Sequence, residues 1–179
     1  MSRRAGLLLV LACWCAPSIA VTVLGVPMGE MLISPPQTCP AKKDSAKEIC
    51  WVGRPSTARD GTKTGTLYLP GRPKWAANQT FTGSVSKDGS IEELKLPRVA
   101  VSERSAIIRS VNDQLGTPRS AGDQGSTAWA RWATKGVHVN LACEEAHCLL
   151  TVRTDAAEAV ARRQAEVRKT TDAGNPRTP

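Results

Sequence analysis

The chain has 179 residues, a net charge of +8 and a hydrophobic fraction of 41%. That leaves room for one domain with tails and is too apolar for a disordered chain. Phe and Tyr occur once each against five Trp, so a core must rest on Val, Ile, Leu and Trp.

Arg3 and Arg4 precede an apolar stretch, Ala5 to Ala12. Ser18-Ile19-Ala20 puts small residues at the two positions that signal peptidase reads, and Pro17 breaks the helix just before them. Residues 1–20 are predicted to be a cleaved signal peptide, with Val21 opening the mature chain. Loss of Arg3 and Arg4 takes the charge from +8 to +6. The compact signal suits a bacterial periplasmic or secreted protein. Two alternatives keep the chain on a membrane. No charged residue occurs from Ala5 to Gly29, long enough for an uncleaved anchor, although Pro17 and Gly25 would interrupt it. Val10-Leu11-Ala12-Cys13 resembles a lipobox that would acylate Cys13.

With the signal removed, Cys39, Cys50, Cys143 and Cys148 remain, an even number in an exported chain. Proximity pairs Cys39 with Cys50 and Cys143 with Cys148. Ile49 to Gly53 reads as a short strand holding Trp51. Arg54, Arg59, Lys63, Arg72 and Lys74 follow, opposed only by Asp60 and ending at Trp75. Cationic side chains beside a flat aromatic are a candidate anion-binding loop. Asn78-Gln79-Thr80 has the form of a glycosylation acceptor, which matters only in a eukaryotic secretory path.

Thr80 to Ser86 alternates, with Phe81, Gly83 and Val85 on one face. Asp88-Gly89 is a hairpin turn signal, and Ser90 to Leu96 is the return strand. Its apolar residues slip by one, which predicts a bulge near Glu92-Glu93. Ser102 to Leu115 is predicted to be a helix capped by Ser102, with Ile107, Ile108, Val111 and Leu115 as its core stripe. Gly116 and Pro118 end it. Pro118 to Ser126 reads as a polar loop.

Three strands follow: Thr127 to Ala133, Gly136 to Cys143 and Cys148 to Arg153. With Cys143 opposite Cys148, Leu141 faces Leu150 and Val139 faces Val152, and one face is wholly apolar. His138, Asn140, Thr151 and Arg153 fall on the other face. A two-residue turn at Lys135-Gly136 puts Ala128, Ala130 and Trp132 in the core. Trp129 is then left outside beside Arg131, a cation–π pair and candidate partner contact. Asp155 to Lys169 is predicted to be a weak C-terminal helix, and residues 170–179 a disordered tail.

The expected fold is one α+β domain over residues 21–154, with one main helix packed on an antiparallel β-sheet. A hairpin, the helix and a three-stranded meander follow in order, stapled by disulfides. No phosphate-binding loop, zinc-protease helix or nucleophile elbow is present. Cys148 with His147, beside Glu144 and Glu145, is the one imaginable catalytic pair, and a disulfide removes its thiolate. Zinc would need a second ligand pair that the sequence does not supply. No catalytic residue, metal or cofactor is expected.

The expected function is non-catalytic binding of a protein partner in the cell envelope, as an inhibitor, immunity or assembly accessory factor. A second reading is binding of an anionic polymer or membrane surface through the basic loop. A third is a Cys/His enzyme. Nucleic acid is not an expected partner.

Overall fold

A computed structural model describes residues 21–124 and 127–173. The predicted signal peptide, Cys13 and residues 174–179 of the predicted tail lie outside the described residues. Strands β1 (Val21–Val23) and β2 (Val26–Met28) form a small hairpin. Its turn residues, Leu24 and Gly25, both take positive φ, as a two-residue hairpin turn requires. Val23, Leu24, Val26 and Met28 are buried. This hairpin accounts for the end of the uncharged stretch, which alternation too short to read had hidden.

The main sheet is built from β3 (Gln37–Thr38), β4 (Cys50–Trp51), β5 (Ser56–Thr57), β6 (Lys63–Tyr68), β7 (Phe81–Val85) and β8 (Ile91–Ala100). After helix α1 (Arg104–Leu115) come β9 (Ser120–Gln124), β10 (Thr127–Thr134), β11 (Val137–Glu144) and β12 (His147–Thr154). Helix α2 (Asp155–Ala173) closes the described chain. The strand order is β3-β4-β6-β7-β8-β12-β11-β10-β9, with β5 beside β6. Only β3 and β4 run parallel.

The α+β class and both disulfides stand, but the sheet has ten strands rather than a hairpin and a separate three-stranded meander. Two things enlarge it. β12 pairs with β8, joining the two halves by setting Leu150 against Leu96 and Val152 against Leu94. The supposed loop over Pro118–Ser126 contains β9, which zips along β10. As an edge strand it is exposed on nearly every residue, so it carries no apolar alternation to betray it.

The β7–β8 hairpin carries the expected bulge. Ser84 pairs with Glu93 and Val85 with Ile91, leaving Glu92 as the extra residue. A second irregularity in β8 lies across from Cys148 to Leu150 and coincides with Pro97, whose missing N–H cannot join a regular ladder. The β11–β12 register sets Cys143 opposite Cys148, Leu141 opposite Leu150 and Val139 opposite Val152. Pairing runs one step further, to Glu144 and His147, so the turn is only Glu145-Ala146.

Helix α1 covers the inner face, burying Ile107 and Val111. No side chain caps it, contrary to the role expected of Ser102. A 3-10 turn, Val101–Glu103, leads straight into it, and the Val101 N–H donates to the Ala146 carbonyl (3.0 Å). The backbone thus sets the entry that a cap would otherwise set. Trp132 Nε1 donates to Asn112 Oδ1 (2.9 Å), tying α1 to β10, and the Leu24 N–H donates to Gln114 Oε1 (2.9 Å).

Candidate functional site

Period-two alternation sends every second residue of β8 and β10–β12 to the outer face, away from α1. Register lines these residues up in rows. Trp129, Ala142 and Leu149 form one; Arg131, Asn140, Thr151 and Lys95 a second; Ala133, His138, Arg153 and Glu93 a third.

Helix α2 begins at the end of β12, because Thr154 caps it. The Ala157 N–H donates to Thr154 Oγ1 (3.2 Å), and the Thr154 hydroxyl donates to Glu92. The helix then runs over the outer face. Its first turns hold Ala157, Glu158 and Ala161 partly buried, and from Arg162 to Thr171 its residues are exposed. The predicted helix was to end at Lys169. It continues to Ala173, with the Thr170 and Thr171 hydroxyls bonded to carbonyls one turn back.

Between α2 and the β9–β12 face lies a groove of about 550 Å³. Arg119, Ser120, Arg131, His138, Asn140, Arg153, Glu158 and Arg162 bring their polar groups to it. Arg153 lines it and is held by two carboxylates. Nε donates to Glu93 Oε1 (2.6 Å) and Nη1 to Glu158 Oε2 (3.1 Å). Glu158 also takes the Nε of Arg162 (3.1 Å) on its other oxygen. Burial alone would raise the Glu158 pKa. Hydrogen bonds from Arg162 and Arg153, with their charges, outweigh it and hold the carboxyl below its ordinary value. Nε2 of His138 lies 2.9 Å from Asp155 Oδ1.

At the end of the groove, the Arg131 guanidinium stands 5.4 Å from the centre of the Trp129 ring. Trp129 is partly buried, lying over Gly122 of β9. Leu149, at 41% exposure, continues this corner of the face.

Comparison of the chain with protein-family models, with curated proteins and with solved structures found no match. The chemistry must therefore be read from the site itself.

The structure treats the expected site residues differently. Cys39 is bonded to Cys50 and Cys143 to Cys148, with S–S distances of 2.04 and 2.02 Å. His147 therefore has a disulfide, not a thiol, as its neighbour. Two bonded pairs are the usage of a chain that folds in an oxidising compartment. Among the described residues, no helix is long and apolar enough to cross a membrane. Among the same residues, no group of three or more His, Cys, Asp or Glu side chains could hold a metal ion.

The basic loop is drawn apart. Lys63 opens β6 and Arg59 lies in the turn before it, while Arg72, Lys74 and Trp75 follow the other end of that strand. Six residues of strand separate them by about 17 Å. Arg54 and Arg59 are exposed. Arg72 donates to the Leu69 and Ala77 carbonyls and stacks 4.4 Å over Tyr68. Trp75 packs against the core with a buried, unpartnered Nε1.

Arg119, Arg153 and Arg162 were not legible as a cluster. They come from an edge strand's approach, the last strand and a helix, and only the path of α2 over the sheet gathers them. The one sequence signal was the polar outer face of β11 and β12.

Proposed function

We propose that the chain is an exported, non-catalytic protein of the bacterial envelope that binds a protein partner through the outer sheet face around Trp129 and Arg131. The observation that carries this reading is the held cation–π pair on the outer face of the sheet. Trp129 rests on β9, is stacked by Arg131 and shares a cross-strand row, through Ala142, with the exposed Leu149. Trp and Arg are the side chains most enriched where interfaces hold their binding energy, because a stiff aromatic gives large contact area at small entropy cost. Both disulfides support folding outside the reducing cytosol.

An anionic polymer or membrane surface bound through the Arg54–Trp75 loop is the weaker alternative, since its cations lie at two ends of β6 and Arg72 is already held. The test is a photoreactive amino acid at position 149 in the protein expressed in its own cells. A discrete protein adduct is expected from position 149 and none from position 101, an exposed site beside α1. Equal adducts from both would refute the assignment. Intact mass with and without reductant checks export, and a chain still bearing residues 1–20 would remove that half of the reading.

A further inference from the structure

We propose that the groove between α2 and the β9–β12 face binds acidic side chains of the partner, as a carboxylate-bearing peptide segment. The inference rests on the partner-binding reading above and names the chemistry of what is bound.

Charge carries it first. The groove is lined by four arginines and one carboxylate, Glu158. Both oxygens of that carboxylate are engaged, by Arg153 and Arg162. Glu93 likewise divides its oxygens between Arg153 and Lys95. These acids hold the Arg153 guanidinium in one orientation, and among the described residues its Nη2 has no hydrogen-bond partner. On the opposite wall, Arg119 and Arg131 make no ion pair among the described residues. Planar guanidinium forks facing one space suit oxyanions taken two oxygens at a time.

Shape selects a peptide over a lipid headgroup. α2 raises one wall to about a helix diameter, roughly 10 Å. A flat bilayer would meet the exposed helix before reaching Arg153, whereas an extended segment can lie along the floor. Asn140 and Ser120 add neutral hydrogen-bonding groups there. The adjoining edge strand β9 has a ladder partner on one side only, as peptide-binding edges do.

The test uses the mature protein with both disulfides intact and a fluorescein-labelled hexaglutamate peptide, read by anisotropy at low ionic strength. Saturable binding is expected, weakened about tenfold in the double variant Arg119→Gln/Arg131→Gln. The double variant Arg98→Gln/Arg109→Gln removes the same charge from exposed sites on β8 and α1 outside the groove, and should bind within about twofold of the parent. The single variant Arg162→Gln gives an independent reading on the helix side and should also weaken binding, while circular dichroism verifies each fold. No saturable binding, or equal weakening in the two double variants, overturns the inference. So does sedimentation with phosphatidylglycerol vesicles that the groove variant abolishes, since that makes a lipid phosphate the occupant. A position-149 adduct that forms while hexaglutamate fails to bind would leave the partner-binding face standing and remove only its acidic ligand.

Discussion

The indole of Trp129 lies directly on the backbone of Gly122, where an added Cβ would sit 2.6 Å from Nε1. The outermost strand thus serves as the seat of the aromatic ring that Arg131 stacks beside the groove. Substituting Gly122→Ala must lift the ring or push β9 away from it. The expected cost is about 1 kcal/mol, measured by urea unfolding, because the ring is only partly buried and can tilt. Adduct formation from position 149 should fall in the same variant.

Gly25 sits at the tip of the β1–β2 hairpin with φ +80°, and a Cβ there would overlap the Gly71 carbonyl oxygen. Gly25→Ala therefore combines backbone strain with a collision against main chain that cannot rotate away. A loss of about 2–3 kcal/mol is expected. Gly53 supplies the comparison: its φ is +87° but nothing lies within 4 Å of the added carbon. Gly53→Ala should cost about 1 kcal/mol, the conformational part alone.

Thr154 joins β12 to α2 through one hydroxyl, which accepts from Ala157 and donates to Glu92. Thr154→Val keeps the shape and removes both bonds. Loss of the cap and of the donor to Glu92 should lower stability by about 1–2 kcal/mol. Circular dichroism at 222 nm should show reduced helix, since the exposed turns of α2 have little else to hold them.

Glu158 titrates below its ordinary value in the folded chain because Arg162 and Arg153 bond to it. Its folded pKa lies under its unfolded one, so it stabilises the protein fully above the unfolded value. That contribution disappears as pH falls through the folded value. The parent's thermal stability should therefore not vary with pH through Glu158 near neutrality, and should fall in the acid range. Glu158→Gln should be less stable than the parent at pH 7, and the gap should narrow on acidification. A gap that widens on acidification would contradict the assigned shift.

The two disulfides close loops of different size, with sequence separations of 11 for Cys39–Cys50 and 5 for Cys143–Cys148. Chain-entropy reasoning gives about 3 kcal/mol for the first and about 2 kcal/mol for the second. Replacing each pair by Ala and measuring guanidinium unfolding should reproduce that order. The Cys143–Cys148 variant should retain its hairpin, because eight residue pairs already define the β11–β12 register.

That hairpin shows how much the residues disclose unaided. Val137, Val139 and Leu141 alternate against Leu150 and Val152, and a one-residue slip would have turned every one of them to water. The Lys135-Gly136 turn, the bulge at Glu92, the stripe of α1 and both cysteine pairings were legible for the same reason. Each depends on neighbours a few residues away, where turn chemistry and periodicity act directly.

Joining β8 to β12 was another matter. Leu96 meets Leu150 across a helix and three strands, and no local pattern selects one apolar strand as the mate of another. Strand β9 is too exposed to show alternation, and the β1–β2 hairpin is too short. The arginine groove exists only because Thr154 starts α2 at the end of the central strand β12 and sends it back over the outer face. Near-neighbour geometry was written in the amino acids themselves. Long-range strand pairing and the gathering of like charges were decided when the whole chain buried its apolar surface at once.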